Sequence, residues 1–169
     1  MLHAGARSHL LCPAYCLLPD HLHLVWMGLR QQSDQLKEMK FLRIHLDPAL
    51  GDQRQWQHQP HDHVLRPGEC QRNAFWPDCA YILANPVRAQ LVKNEAEWSY
   101  SGAIVPGYPE LNPFKQKFWP SLWKIYEGER KSRREVWRAR SPEQATTQHH
   151  LLTSVVTPFH FVLSAARLL

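Results

Sequence analysis

Two apolar segments joined by a short turn constrain the fold of this chain more than any other feature. The first reads AYCLLP and the second HLHLVWM, and Pro19–Asp20 stands between them. Proline and aspartate are typical turn residues, and two such runs separated by a turn form an antiparallel hairpin. The sequence therefore predicts a β-hairpin around which a small antiparallel sheet can form.

Helical periodicity dominates the segment that follows the hairpin. Ser33 is the expected N-cap of a helix, and Asp47–Pro48 is its expected end, because proline rarely continues a helix. A further strand is predicted at the end of QWQHQPHDHVLR, where polar and apolar residues alternate. The apolar residues at helical spacing are Leu36, Met39, Leu42 and Leu46.

Two more helices are predicted in the second half of the chain. DCAYILANPVRAQLV begins after Pro77, and the Asn85–Pro86 step is expected to kink or divide this helix. A loop rich in proline and glycine, WSYSGAIVPGYPELNPF, separates it from the helical segment KFWPSLWKIYEGERKSRREVWRAR. Together with the hairpin, these elements predict an α+β fold, in which helices pack on a small antiparallel sheet.

The net charge of the chain favours an anionic partner. The chain has 169 residues, enough for one domain, and its Lys and Arg exceed Asp and Glu by 20 to 15. Such a basic excess is typical of proteins that bind nucleic acid. Seven tryptophans are many for this length, and they serve either as core or as flat surfaces on which bases stack.

The cysteine pattern and the longest apolar run give indications of the cellular compartment of the protein. The four cysteines form no C-x-x-C pair, so we predict reduced thiols in a cytoplasmic protein. No signal peptide is evident. The apolar run 151–169 contains proline, histidine and arginine, so we do not predict that it crosses a membrane.

His21 and His23 are the first candidates for chemistry. Alternate residues of a strand point to the same side and lie roughly 6.6 Å apart. Both imidazoles can therefore converge on one metal ion. Asp20 is either a turn residue or a partner that orients a histidine. The alternative is two half-exposed histidines without a ligand.

Tyr81 and Asn85 are the second candidates, because their i,i+4 spacing places both on one helix face. A tyrosine becomes a competent nucleophile when a metal polarises the electrophile, and an amide oxygen suits Mg²⁺ or Mn²⁺. Arg88, one turn beyond, could hold a phosphate. The alternative is a helix in which the tyrosine packs and the asparagine caps. For QHQPHDHVLR, in which three histidines precede Arg66, we expect a phosphate-binding or structural role, and a second metal site is the alternative.

The two candidate groups complement one another. A histidine pair on a strand and a tyrosine with an amide on a helix make a complete set for metal-assisted phosphodiester cleavage. The product would be a phosphotyrosine linkage, which conserves the bond energy for rejoining. No ATP is needed, in agreement with the absence of a phosphate-binding loop motif from the sequence.

Several of these segments resemble a known family. LLPDHLHLVWMG resembles the HUH motif, two histidines around a hydrophobic residue, of the single-tyrosine transposases. HDHVLR and YILANPVRAQLV, followed by EAEWSYSG, resemble the REP-associated branch of that family, the REP-associated tyrosine transposases. The resemblance extends roughly from Pro13 to Tyr126.

The resemblance implies both a fold and a site. It implies a ferredoxin-like (RRM-like) HUH fold, and a divalent metal, Mg²⁺ or Mn²⁺, held by His21, His23 and Asn85. It implies that Tyr81 is the nucleophile of a metal-dependent endonuclease and strand transferase, which forms a 5′-phosphotyrosine and a free 3′-OH. The substrate would be single-stranded DNA with palindromic hairpins, and the protein a monomer in the bacterial cytoplasm, associated with the nucleoid. The expected DNA-binding residues are Arg66, Arg88 and His63.

The resemblance also predicts where this chain departs from the family. Family members begin with a further strand, so the sheet is expected to lack its first strand and to carry an unpaired edge. The family usually has glycine where Gln90 stands, and a turn there would need positive φ. We expect a transposase-like domain at 1–126, a basic helical extension at 127–140 and a tail of unknown origin at 141–169. An inactive DNA-binding relic and a small zinc-binding interaction module are the alternative functions.

Overall fold

The computed structural model describes residues 9–30, 32–50, 56, 61–64, 75–140 and 161–167. Within these residues it contains five strands and three α-helices, so the predicted α+β class is confirmed. The strands are β1 (Leu10–Leu17), β2 (His21–Gly28), β3 (His61–Val64), β4 (Ser101–Ile104) and β5 (Phe161–Arg167). The helices are α1 (Gln35–Leu50), α2 (Phe75–Arg88) and α3 (Phe118–Arg140), and Glu95–Glu97 form a 3₁₀ turn.

The strands form one antiparallel sheet in the order β3-β5-β2-β1-β4. The predicted hairpin is its centre: β1 pairs with β2, and the Leu18 N–H donates to the His21 carbonyl at 2.8 Å across the turn. Part of the loop predicted between the last two helices is a strand instead, because Ser101–Ile104 pair with β1. Among the described residues, no helix has both the length and the apolarity that a bilayer span needs.

A bulge in β1 changes which of its side chains face α1, on one side of the sheet, and which face α2, on the other. The register of β1 shifts against β2 and against β4 on either side of Pro13, a residue without an N–H for the ladder. Leu10 and Cys12 pack with α1, whereas Ala14 and Cys16 pack with α2. In a regular strand all four would share one face. The bulge therefore lets this short strand contribute apolar side chains to both layers.

Helices cover both faces of the sheet. One buried cluster joins the sheet to α2 and α3, and a second, on the opposite face, joins it to α1. The helical residues of the first cluster are Phe75, Cys79, Ile82, Leu83, Phe118, Leu122 and Tyr126. Those of the second are Met39 and Leu42 of α1.

The ends of α1 differ from the sequence prediction. Asp34 is the cap, because its Oδ1 accepts the Lys37 N–H at 3.0 Å. Ser33, the predicted cap, instead accepts the Arg30 N–H and donates to the His9 carbonyl. The helix continues through Pro48 to Leu50. Pro48 lacks the N–H that would bond to the Ile44 carbonyl, but only Ala49 and Leu50 follow it in the helix.

Helix α2 begins earlier than predicted and ends at Arg88, inside the predicted segment DCAYILANPVRAQLV. It starts at Phe75, and Pro77 lies in its first turn, where N–H groups have no helical partner. It is not divided at Pro86 but runs unbroken to Arg88. Pro86 cannot donate to the Ile82 carbonyl, and the Asn85 Nδ2 does so in its place at 3.4 Å.

Strand β5 pairs with the second edge of β2, in the sheet for which the sequence predicts an unpaired edge. The two strands are in antiparallel register from His21 opposite Arg167 to Met27 opposite Phe161. The opposite edge of β5 pairs with β3. The backbone groups of β2 therefore have partners on both sides, as buried strands require. Part of the tail 141–169 thus belongs to the same sheet as the histidine strand.

Removing β5 is expected to destabilise the fold. A chain that ends at residue 160 should melt ~5 °C lower than a chain that ends at residue 167, because β2 loses one of its two ladder partners and β3 loses the strand with which it pairs. Thermal denaturation followed by circular dichroism measures the difference, with the chain ending at residue 167 as the matched control. Equal melting temperatures, together with unchanged amide exchange in β2, would show that β5 does not hold the sheet.

The end of α2 strains the backbone at Gln90, as predicted. Gln90 has φ 58°, in the left-handed region. Its N–H donates to the Val87 carbonyl, and the Leu91 N–H donates to that of Pro86, both at 2.9 Å. These two bonds make a Schellman motif, whose C′ position glycine occupies at least cost.

Gln90→Gly is therefore expected to stabilise the chain. We expect Gln90→Gly to raise the free energy of unfolding by about 1 kcal/mol. Gln90→Val should lower the free energy of unfolding, because a β-branched residue tolerates positive φ least. Urea denaturation measures both. The control is Gln35→Gly in the first turn of α1, which should not stabilise. Lower stability of Gln90→Gly would contradict the assignment of strain to this turn.

Candidate active site

The two histidines lie at one end of β2, on the face that α2 covers. Val25 and Met27 of the same strand pack in the cluster beneath α2. Since side chains of a strand alternate between faces, His21 and His23 continue that row. The rings lie edge to face, with their centroids 4.7 Å apart. The histidine pair predicted from the sequence is thus brought together on one face.

Asp20 orients the first histidine. Its Oδ1 lies 2.6 Å from the His21 Nδ1, which makes it a hydrogen-bonding partner and not merely a turn residue. A proton held on Nδ1 leaves Nε2 with the lone pair that binds a metal. The Asp20 side chain is 70% exposed and that of His21 is 23% exposed, so the pair lies at the rim of the sheet.

His23 is held in its neutral form. Burial, and to a smaller extent the neighbouring charge of His21, lower the pKa of His23 to about 4, against a small opposing effect of Asp20. At neutral pH its ring therefore carries no charge. The neutral imidazole is the form that coordinates metals.

Tyr81 and Arg88 of α2 lie next to this histidine. The rings of His23 and Tyr81 are 6.2 Å apart and nearly perpendicular. Tyr81 is 46% exposed, so solvent or a ligand can reach it. The Arg88 guanidinium lies 4.7 Å from the centre of the Tyr81 ring, because seven residues make two helical turns and return to the same face. The structure thus joins a tyrosine, a cation and a neutral imidazole.

Asn85 is more buried than its neighbours on α2. It is 7% exposed, and its Nδ2 donates to the Ile82 carbonyl. Its second amide atom, Oδ1, is the one that could bind a metal. In the described part of the chain, no three His, Cys, Asp or Glu side chains could hold a metal ion by themselves. The histidine pair would therefore need an amide oxygen or water to complete a coordination sphere.

The predicted DNA-binding residues other than Arg88 have no described side chain. Arg66 lies outside the described residues. Of His63 only the backbone is described, in β3 and in register with Leu163 of β5. Their roles stay predictions.

Two aromatic residues beside the hairpin turn were not singled out from the sequence. The Trp98 Nε1 donates to the Leu17 carbonyl at 2.9 Å, and the Leu17 N–H donates to the Tyr100 carbonyl at 3.0 Å. Tyr100 is 58% exposed. Both residues belong to the segment EAEWSYSG, but hydropathy alone could not show that this segment meets the hairpin.

Comparison with known proteins gives one distant similarity. The REP-associated tyrosine transposase of Escherichia coli (strain K12) is 26% identical over 88 residues, which are 52% of this chain and 51% of that protein. The chain thus spans about half the length of the curated relative that it matches. No protein-family profile and no solved structure matches the chain. About half of the chain is thus distantly similar in sequence to a tyrosine transposase.

Proposed function

We propose that this chain is a metal-dependent endonuclease and strand transferase that acts on single-stranded DNA through a phosphotyrosine intermediate. One observation carries this function. Tyr81 of α2 lies beside His23 of β2, with ring centres 6.2 Å apart. A structural metal site has no use for an exposed tyrosine with a cation against its ring. The similarity to a tyrosine transposase and the basic net charge support the same function.

The donor atoms fit a divalent metal ion. The His21 Nε2 is left available by the bond to Asp20, His23 is neutral, and the Asn85 Oδ1 is a hard oxygen donor. These three residues would hold Mg²⁺ or Mn²⁺. When bound, the ion would polarise the scissile phosphate and lower the barrier to its attack.

The residues of α2 carry the covalent step. The Tyr81 Oη attacks the phosphorus, and the bond from phosphorus to the 3′ oxygen breaks. The phenolic proton is lost and the 3′ oxygen gains one, so the products are a 5′-phosphotyrosine and a free 3′-OH. Arg88, against the Tyr81 ring, places a cation beside the phosphate that Tyr81 attacks, where its planar fork can bind two oxygens.

The substrate follows from the family resemblance and the assembly from the site. We propose single-stranded DNA with palindromic hairpins as the substrate, because LLPDHLHLVWMG and YILANPVRAQLV resemble segments of the REP-associated tyrosine transposases. One chain supplies both β2 and α2, and they contact one another within it. We therefore propose a monomer, acting on DNA in the bacterial cytoplasm at the nucleoid.

Capture of the covalent intermediate tests this function. The chain is incubated with Mn²⁺ and a 3′-labelled single strand that contains the palindromic hairpins adjacent to its own gene, and is then run on a denaturing gel. We expect a labelled band at the mass of protein plus the 3′ fragment, which EDTA prevents. Binding of the strand without any adduct would favour the alternative of an inactive DNA-binding relic. Tight Zn²⁺ binding without DNA binding would favour an interaction module.

A further inference from the structure

We infer that Tyr100, braced by Trp98, is a stacking subsite for one nucleobase of the bound strand. This subsite rests on the function proposed above and adds a contact that the candidate active site does not contain. Its position, its rigidity and the charges around it each support this role.

The position of Tyr100 places it at the turn end of the sheet. Its carbonyl accepts the Leu17 N–H at 3.0 Å, and Leu17 is the register partner of Leu22, the residue between the two histidines. The Tyr100 backbone is thus two strand spacings, about 10 Å, from the histidine strand. Tyr100 follows the ladder row of Leu17 and Leu22, which faces α1, and it precedes β4, an edge strand of the described sheet. Single-stranded DNA held at Tyr81 would therefore reach Tyr100 around that edge with its adjacent nucleotides.

The aromatic pair is rigid on one side and open on the other. Trp98 is partly buried against the cluster beneath α2, and its Nε1 is tied to the Leu17 carbonyl at 2.9 Å. The Tyr100 ring meets the Trp98 ring edge to face at 5.5 Å, yet Tyr100 is 58% exposed. A braced aromatic ring with an open face binds bases by stacking and does so regardless of sequence.

The charges near Tyr100 indicate that it contacts a base and not the phosphate backbone. Three carboxylates are exposed in the adjoining segments: Asp20 in the hairpin turn, and Glu95 and Glu97 in the 3₁₀ turn, within six residues of Tyr100 in the sequence. Carboxylates repel phosphates, whereas Arg88 on α2 attracts them. The phosphate backbone of the bound DNA would therefore lie near Arg88, and one of its bases would turn towards Tyr100.

Fluorescence anisotropy with a labelled single strand in EDTA separates this contact from the chemistry. Tyr100→Ala should weaken binding about 5- to 150-fold, the equivalent of stacking one base, and Tyr100→Trp should restore it. The slope of log affinity against log salt should not change, because no phosphate contact is lost. Arg88→Gln should instead lower the magnitude of that slope by about 0.7.

Tyr108→Ala is the matched control. Tyr108 is 42% exposed and follows β4, at the end of the sheet opposite to the hairpin turn. Its replacement should leave affinity unchanged. Strand binding that is equally tight in the unaltered chain and in Tyr100→Ala would overturn the subsite and leave the proposed function standing. A failure of the unaltered chain to bind any single strand would overturn both.

Discussion

Tyr81→Phe is expected to abolish the covalent protein–DNA adduct. The substitution removes only the Oη that attacks phosphorus, so adduct formation should fall by at least about 10³-fold. Binding of the single strand should persist, because a phenylalanine ring still packs beneath the Arg88 guanidinium, now 4.7 Å from the Tyr81 ring. The measurement is the labelled band on a denaturing gel, together with the affinity for the same strand.

The matched control for this substitution is Tyr108→Phe. Tyr108 is another exposed tyrosine, at the far end of β4 from the hairpin turn, and its replacement should leave the adduct intact. An undiminished adduct in Tyr81→Phe would refute Tyr81 as the nucleophile. Parallel losses of adduct and of binding would show that Tyr81 contributes to the DNA surface and not to the covalent step.

His23→Ala is expected to lower the affinity for Mn²⁺ by at least about 10²-fold, and His21→Ala to do the same, because each removes one of few donors. Asp20→Asn should have a smaller effect, about 10-fold, because it changes only the orientation and basicity of His21 through the 2.6 Å contact. Titration of Mn²⁺ by electron paramagnetic resonance measures all three. Adduct formation should fall in the same order.

The matched control here is His45→Ala. His45 is an exposed histidine on α1, and its Nδ1 contacts the Phe41 carbonyl 2.8 Å away. Because α1 packs on the sheet face opposite to α2, this replacement should leave Mn²⁺ affinity unchanged. Equal Mn²⁺ affinity in His21→Ala, His23→Ala and the unaltered chain would favour the alternative in which the histidines have no ligand.

Much of the candidate site could be predicted because its spacing is local. The alternation of a strand places His21 and His23 on one side, and the period of a helix places Tyr81 near Asn85 and Arg88. These periods are set by backbone geometry alone, so they need no knowledge of the rest of the fold. The positive φ of Gln90 was predictable for a related reason, since it follows from the local ending of a helix.

The contact between the histidine pair of β2 and Tyr81 of α2 could not be predicted from residue patterns. The distance from His23 to Tyr81 depends on how α2 packs over β1 and β2. Chemical complementarity and the resemblance to a transposase family are the two reasons that the sequence offers to join them, and neither sets the distance between them. The role of Asn85 also depends on context, because its amide partly replaces the N–H that Pro86 lacks.

The sequence by itself determined the hairpin, the alternating faces of β2 and the apolar faces of the helices, because neighbouring residues set them. Only the tertiary structure decided the partners of β2. Its second edge pairs with β5, about 140 residues later in the chain, and Ser101–Ile104 pair with β1 although their segment reads as a loop. Strand pairing joins backbone groups that any residue except proline carries, so side-chain patterns hold little information about which distant strand completes a sheet.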